Sequence, residues 1–145
     1  MNRILSLAAS GALLASAGLA TSPADAGGVR AIRANAGGGY TYGAAVGRRG
    51  PNGGIGARAG TTTVNADGSA SHRSGLQASG SRGSIQSSGS ATRDASGNVT
   101  QSRSTSATNA VTGNSVQSSS SYNSATGLTR SATCYNASGA VIACR

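Results

Sequence analysis

In the second half of the chain, runs of Ser and Thr recur at alternate positions. Ser88, Ser90 and Thr92 alternate with Gly89, Ala91 and Arg93, and Thr100, Ser102 and Ser104 alternate with Gln101 and Arg103. A period of two places successive side chains on opposite sides of an extended strand. Turn-type segments punctuate these runs, and their glycines are Gly53, Gly68, Gly83, Gly97, Gly113, Gly127 and Gly139, at intervals of 15, 15, 14, 16, 14 and 12 residues. Each follows residues such as Asn, Asp or Ser that hydrogen-bond their own backbone in turns. No proline interrupts the runs between them. The pattern predicts serial β-hairpins.

Loop length and strand parity predict a register. Taking residues 94–98 as a three-residue loop closed by a glycine bulge sets Thr92 opposite Thr100, Ser90 opposite Ser102 and Ser88 opposite Ser104. Ile85, Ala91, Arg93, Val99, Gln101 and Arg103 then collect on the other side. The next loop, residues 109–114, is one residue longer, and the following strand flips parity, with Ser115, Gln117, Ser119 and Ser121 on odd positions. Thr108 can then face Ser115, and Ser104 can face Ser119. After the next turn Ser121 can face Thr129, and Ser119 can face Ser131. Val116, Tyr122, Leu128, Ala132 and Cys134 lie behind them. A slip of one residue would mix the two faces, so this agreement predicts one uniformly hydroxylated surface over residues 84–133.

The N-terminal part reads differently. Arg3, an apolar stretch over residues 4–20 and Ala24-Asp25-Ala26 match a secretory signal peptide, with cleavage expected before Gly27. The apolar stretch is shorter than the roughly 20 residues of a membrane-spanning helix. No second apolar stretch follows, so no transmembrane segment is expected after signal cleavage. No cysteine near the cleavage site points to a lipid anchor. Residues 27–45 are glycine-rich, with Gly37-Gly38-Gly39 flanking Tyr40 and Tyr42. The segment reads as a flexible lead or a weakly formed first hairpin; glycine weakens strands, so the flexible lead is the expectation. A β-hairpin repeat domain is expected over residues 46–145, with about six to eight short strands.

Two cysteines in an exported chain, Cys134 and Cys144, read as one disulfide. The geometry is under tension. A three-residue loop at residues 137–139 would set Cys134 opposite Ile142 and leave Cys144 diagonal to it. A bond then needs a shifted register or a frayed strand, because the Cα atoms must approach within about 7 Å.

Composition narrows the function. The large aliphatic side chains are few, and the only aromatics are Tyr40, Tyr42, Tyr122 and Tyr135. Apolar burial alone is too small to offset the conformational entropy of ordering the chain. After residue 26 there are eleven Arg, no Lys, two Asp and no Glu. That balance favours polyanions such as nucleic acid, lipopolysaccharide or acidic polysaccharide, and Arg suits bidentate contact with phosphate or carboxylate. Arg93, Arg103 and Arg130 share the mixed side of the expected sheet and are the candidate polyanion-binding residues. A sheet that reads single strands interleaves aromatics for base stacking. Tyr122 alone is available there, so no specific nucleic-acid recognition is expected.

Catalytic chemistry has little to draw on. His72 is the only histidine, Asp67 and Asp94 sit at turn positions, and the cysteines are expected to pair. No catalytic, cofactor-binding or metal-binding residue is assigned. An outer-membrane barrel does not fit either, since its lipid-facing positions should be apolar. Pro51-Asn52-Gly53-Gly54, Asn65-Ala66-Asp67-Gly68, the segment from Thr92 through Asp94-Ala95-Ser96-Gly97 to Thr100, and the Cys134…Cys144 hairpin together resemble small exported proteobacterial hairpin-repeat proteins of unknown function. The Asp94 turn is also similar to turns of YD-type wall repeats, without their tyrosines. The first resemblance implies export and a β-repeat body, and brings no activity.

The expected protein is all-β, with serial antiparallel hairpins in a meander-like sheet, and periplasmic or extracellular. Its expected role is structural or adhesive, in the cell envelope or extracellular matrix, with self-association or anionic envelope polymers as partners. The alternative is a soluble basic module that binds polyanions.

Overall fold

The computed structural model describes residues 26–50 and 52–144. The expected signal peptide, residues 1–26, falls outside the described residues apart from Ala26, and so does Pro51. The described chain forms nine strands: β1 (Ala26–Ala34), β2 (Gly39–Arg49), β3 (Ile55–Asn65), β4 (Ala70–Gly80), β5 (Gly83–Arg93), β6 (Val99–Asn109), β7 (Ser115–Asn123), β8 (Gly127–Tyr135) and β9 (Val141–Ile142). They pair in chain order in one antiparallel sheet. This is the expected all-β meander.

Turn chemistry builds it. At Asn35, Gly50, Asn65, Asp94 and Asn136 the same pair of backbone bonds recurs. The N–H of that residue donates to the carbonyl four residues on, and the N–H of the residue three on donates back to its carbonyl. This is a tight turn closed by a glycine bulge. All seven turn glycines marked in the sequence have positive φ, as do Gly38 and Gly39. At Gly39 and Gly83 a side chain is excluded outright, because a Cβ would fall onto the carbonyl oxygens of Val64 and Thr108. The turns also tie to their neighbours. Ala110 donates to the Arg82 carbonyl at 3.0 Å, and Ser124 donates to the Val99 carbonyl at 2.9 Å.

Loop size sets which parity faces which way. The two-residue loop between the paired Gly80 and Gly83 moves the hydroxyl side from odd positions on β4 to even positions on β5. The four-residue loop between Asn109 and Asn114 moves it back to odd positions on β7. The three-residue loops leave parity unchanged.

Residues 27–45, for which a flexible lead is the expectation, lie in β1, the first turn and β2. β1 pairs with β2 from Ala26↔Arg48 to Ala34↔Tyr40, and β2 is also paired along its length with β3. Neighbours on both sides satisfy the backbone of β2, which compensates for Gly43 and Gly47. The Asn35 side chain reinforces the turn, accepting from Thr41 Oγ1 at 2.9 Å and donating to the Val64 carbonyl at 3.2 Å. The strands are also longer than expected, eleven residues each in β2 to β6.

The sheet is a single layer. Among the described residues no hydrophobic side chain is buried, and Ser87 is the one buried polar residue. Ladder hydrogen bonds, turn caps and cross-strand side-chain pairs therefore carry the order.

Candidate functional site

Registered pairs point to the same side of a sheet, so the ladders define two faces. One is the hydroxyl face. Ser88, Ser104, Ser119 and Ser131 lie in one row across β5 to β8. Beside that row, Ser90 and Thr92 face Ser102 and Thr100 on β6, which face Ser121 and Asn123 on β7. The sequence-derived register holds at each of these positions. Hydroxyls bond directly across the strands, Thr92 to Thr100 at 2.6 Å, Ser90 to Ser102 at 3.0 Å and Ser119 to Ser131 at 2.7 Å. The same side continues toward the N-terminus through Ser71, Thr63 and Thr41, where it also carries Arg73, Arg49 and Arg33, with Thr41 and Thr63 in contact at 3.1 Å. That extension was not read from the sequence, because glycine and alanine occupy many of its intervening positions.

The other face mixes arginine with apolar groups. By register it carries Arg30, Arg48, Arg58, Arg93, Arg103 and Arg130 together with Ile32, Tyr42, Leu76 and Leu128. These apolar side chains stay accessible, Ile32 at 74% and Leu128 at 55%. A few hydroxyls also stand here, notably Ser87, Thr105, Ser118 and Ser120.

The three candidate polyanion-binding arginines all lie on this face, but only two come together. Arg103 faces Ser120, and Ser120 faces Arg130, which puts the two arginines two strand spacings apart, about 9.5 Å. Both line one shallow depression. Arg93 lies four residues along β5 from Gly89, the partner of Arg103, roughly 13 Å away along the strand.

Arg103 is held in place. It lies over Gly89, where an added Cβ would sit 3.6 Å from its guanidinium carbon. Its Nη1 donates to Ser87 Oγ at 3.0 Å. Ser87 Oγ also lies 2.9 Å from Thr105 Oγ1 and 3.1 Å from the Ser104 carbonyl. This small network explains why Ser87 can be buried, and no sequence rule for alternating strands marks it.

The remaining titratable residues have structural partners. Asp94 accepts from the Asn98 side chain at 2.8 Å and from its backbone N–H at 2.9 Å, which together hold its carboxyl below the usual range. Hydrogen bonds from the hydroxyl and backbone N–H of Ser69 do the same for Asp67. These are the turn-capping roles expected from sequence. His72 Nδ1 lies 2.9 Å from Thr62 Oγ1, its neighbour across the ladder. Among the described residues no group of three His, Cys, Asp or Glu is placed to hold a metal, and no helix is long and apolar enough to cross a membrane.

The disulfide forms between Cys134 and Cys144, with Cα atoms 5.3 Å apart. The register keeps Cys134 opposite Ile142. The tension is relieved by fraying, since β9 ends at Ile142 and Cys144 leaves the ladder to reach its partner. The bond is compatible with an oxidising, exported location.

Comparison with family models, with curated proteins and with solved structures finds no match to this chain.

Proposed function

We propose that the protein is a structural or adhesive β-repeat component of the cell envelope or extracellular matrix, working through the surfaces of its sheet. The observation that carries this reading is a one-layer sheet with two open faces that differ chemically over β5 to β8, one hydroxylated and the other carrying Arg93, Arg103 and Arg130. An antiparallel sheet ordinarily covers one face with another layer. Here the hydroxyl face presents rows of donors and acceptors at strand spacing, a surface suited to hydrogen-bonding sugars or other hydroxylated polymer. The test is co-sedimentation of the purified protein with insoluble envelope polysaccharide at low and high salt. Retention at high salt is expected, with loss when Ser88, Ser104, Ser119 and Ser131 are all replaced by Ala. No retention at either salt, or equal retention of the variant, overturns the reading.

A second reading is favoured by the Arg103–Ser120–Arg130 row, a pair of cations with a hydroxyl between them and no acid opposite either one. On this reading the mixed face binds acidic polymer. Such binding weakens steeply as salt rises, and Arg103→Ala with Arg130→Ala should lower affinity at low salt while leaving polysaccharide retention at high salt unchanged.

A further inference from the structure

The two edges of the sheet are unequal. Among the described residues no strand pairs with the outer edge of β1, nine residues without proline, every one exposed. At the opposite edge, β9 pairs with Cys134 and Tyr135 of β8 and the disulfide fixes Cys144 beside that end, so only residues 127–133 of β8 lack an outer ladder partner among the described residues. A long unpaired edge is a template for another strand. We infer that β1 pairs antiparallel with β1 of a second copy, giving a two-fold dimer in which one sheet runs through both chains.

The hydrogen-bond alternation selects how they meet. Asn35 donates to the Gly39 carbonyl, so with antiparallel alternation Arg33, Ala31 and Val29 direct their backbone groups to β2. Gly28, Arg30, Ile32 and Ala34 direct theirs outward. Two copies must therefore bond through these even-numbered residues. Centring the two-fold on Arg30 would set the two Arg30 side chains directly opposite each other, which like charge disfavours. Centring it on Ala31 pairs Arg30 with Ile32 of the second copy and Val29 with Arg33 of the second copy. Both arginines then meet an aliphatic neighbour, and the small Ala31 side chains meet at the axis. In this arrangement the hydroxyl faces of the two copies are continuous. An isologous contact of this kind closes at two chains, whereas adding β1 to the far edge would propagate without limit. The open stretch of β8 is shorter than that of β1 and is closed at one end by β9 and the disulfide, which disfavours the second mode. The pairing stands on the strand edge alone and holds whichever polymer the faces bind.

The test is light-scattering mass across a concentration series of the purified protein. Twice the chain mass is expected, with the dimer fraction rising as salt rises, because the two copies carry charge of the same sign. Ile32→Pro removes an outward N–H and leaves the β1–β2 ladder in place, so it should halve the mass while keeping the β circular-dichroism spectrum. Ala31→Cys should cross-link two chains on a non-reducing gel, since directly opposed Cα atoms at a non-hydrogen-bonded position lie within disulfide range. Val29→Cys should not. A single-chain mass at all concentrations, open-ended polymers, or cross-linking through Val29→Cys rather than Ala31→Cys overturns the inference.

Discussion

Arg103 Nη1 donates to Ser87 Oγ at 3.0 Å, joining adjacent strands on the basic face. It joins them diagonally, because the ladder sets Arg103 opposite Gly89 and Ser87 opposite Thr105. The absent side chain at Gly89 leaves the path for the guanidinium. Ser87 is 5% exposed, and among the described residues no apolar side chain is buried, so this contact is the closest approach to a core. Replacing Ser87 with Ala is expected to lower unfolding free energy by about 1 kcal/mol, the usual net worth of one such hydrogen bond. Urea unfolding of the two proteins measures it, and an unchanged midpoint would show that the network contributes nothing.

Gly83 gives a sharper case. Its φ is 146°, and an added Cβ would collide with the Thr108 carbonyl oxygen. Gly83→Ala must displace the start of β5 from β6. By contrast Gly53, at φ 75°, has open space around the same atom. Gly53→Ala should cost about 1–2 kcal/mol, the left-handed penalty alone. Gly83→Ala should cost more and should speed amide exchange at β5–β6. Equal costs in thermal unfolding would refute this difference.

The carboxyl of Asp94 is held down by Asn98, and that of Asp67 by Ser69. A depressed folded value means that these caps stabilise the fold above the ordinary 3.8 and lose that contribution as pH falls through the lowered range. An NMR titration should therefore find both carboxyls titrating below 3.8. Asp94→Asn should remove the acid-dependent step at the Asn98 amide and leave the Asp67 turn unchanged. Titration at or above 3.8 contradicts the geometry.

Reduction of Cys134–Cys144 should act locally. The bond spans a sequence separation of 10, and closing so short a loop contributes roughly 2–3 kcal/mol. β9 has only two paired residues to hold it otherwise. With reductant, or in a double Cys→Ser variant, amides of residues 136–144 should exchange rapidly while β2 to β7 stay protected. Loss of protection throughout the sheet would mean that the hairpin is needed by the whole fold.

Much of the sheet was legible because two independent signals agree. The turn tetrapeptides state loop length, and hydroxyl alternation states parity, so the register from β5 to β8 follows from residues such as Ser88, Ser104, Ser119 and Ser131. The first hairpin competes in the sequence with a flexible lead for a physical reason. Asn35-Ala36-Gly37-Gly38 has the same spacing as Asn65-Ala66-Asp67-Gly68, but it sits among glycines whose low strand preference argues for disorder. Pairing of β2 on both sides overrides that local preference.

Composition and local periodicity by themselves determined an all-β chain, its turns, its hydroxylated surface and the partner of Cys134, since each depends on neighbours in sequence or on a short closed loop. Only the tertiary structure decided that the layer stays single, that Arg103 and Arg130 approach while Arg93 stands apart, that Ser87 is enclosed, and that β1 leaves a whole edge open while β9 covers one end of β8. Those outcomes depend on distances across several strands, which arise only when every loop contributes its residue count to the same ladder.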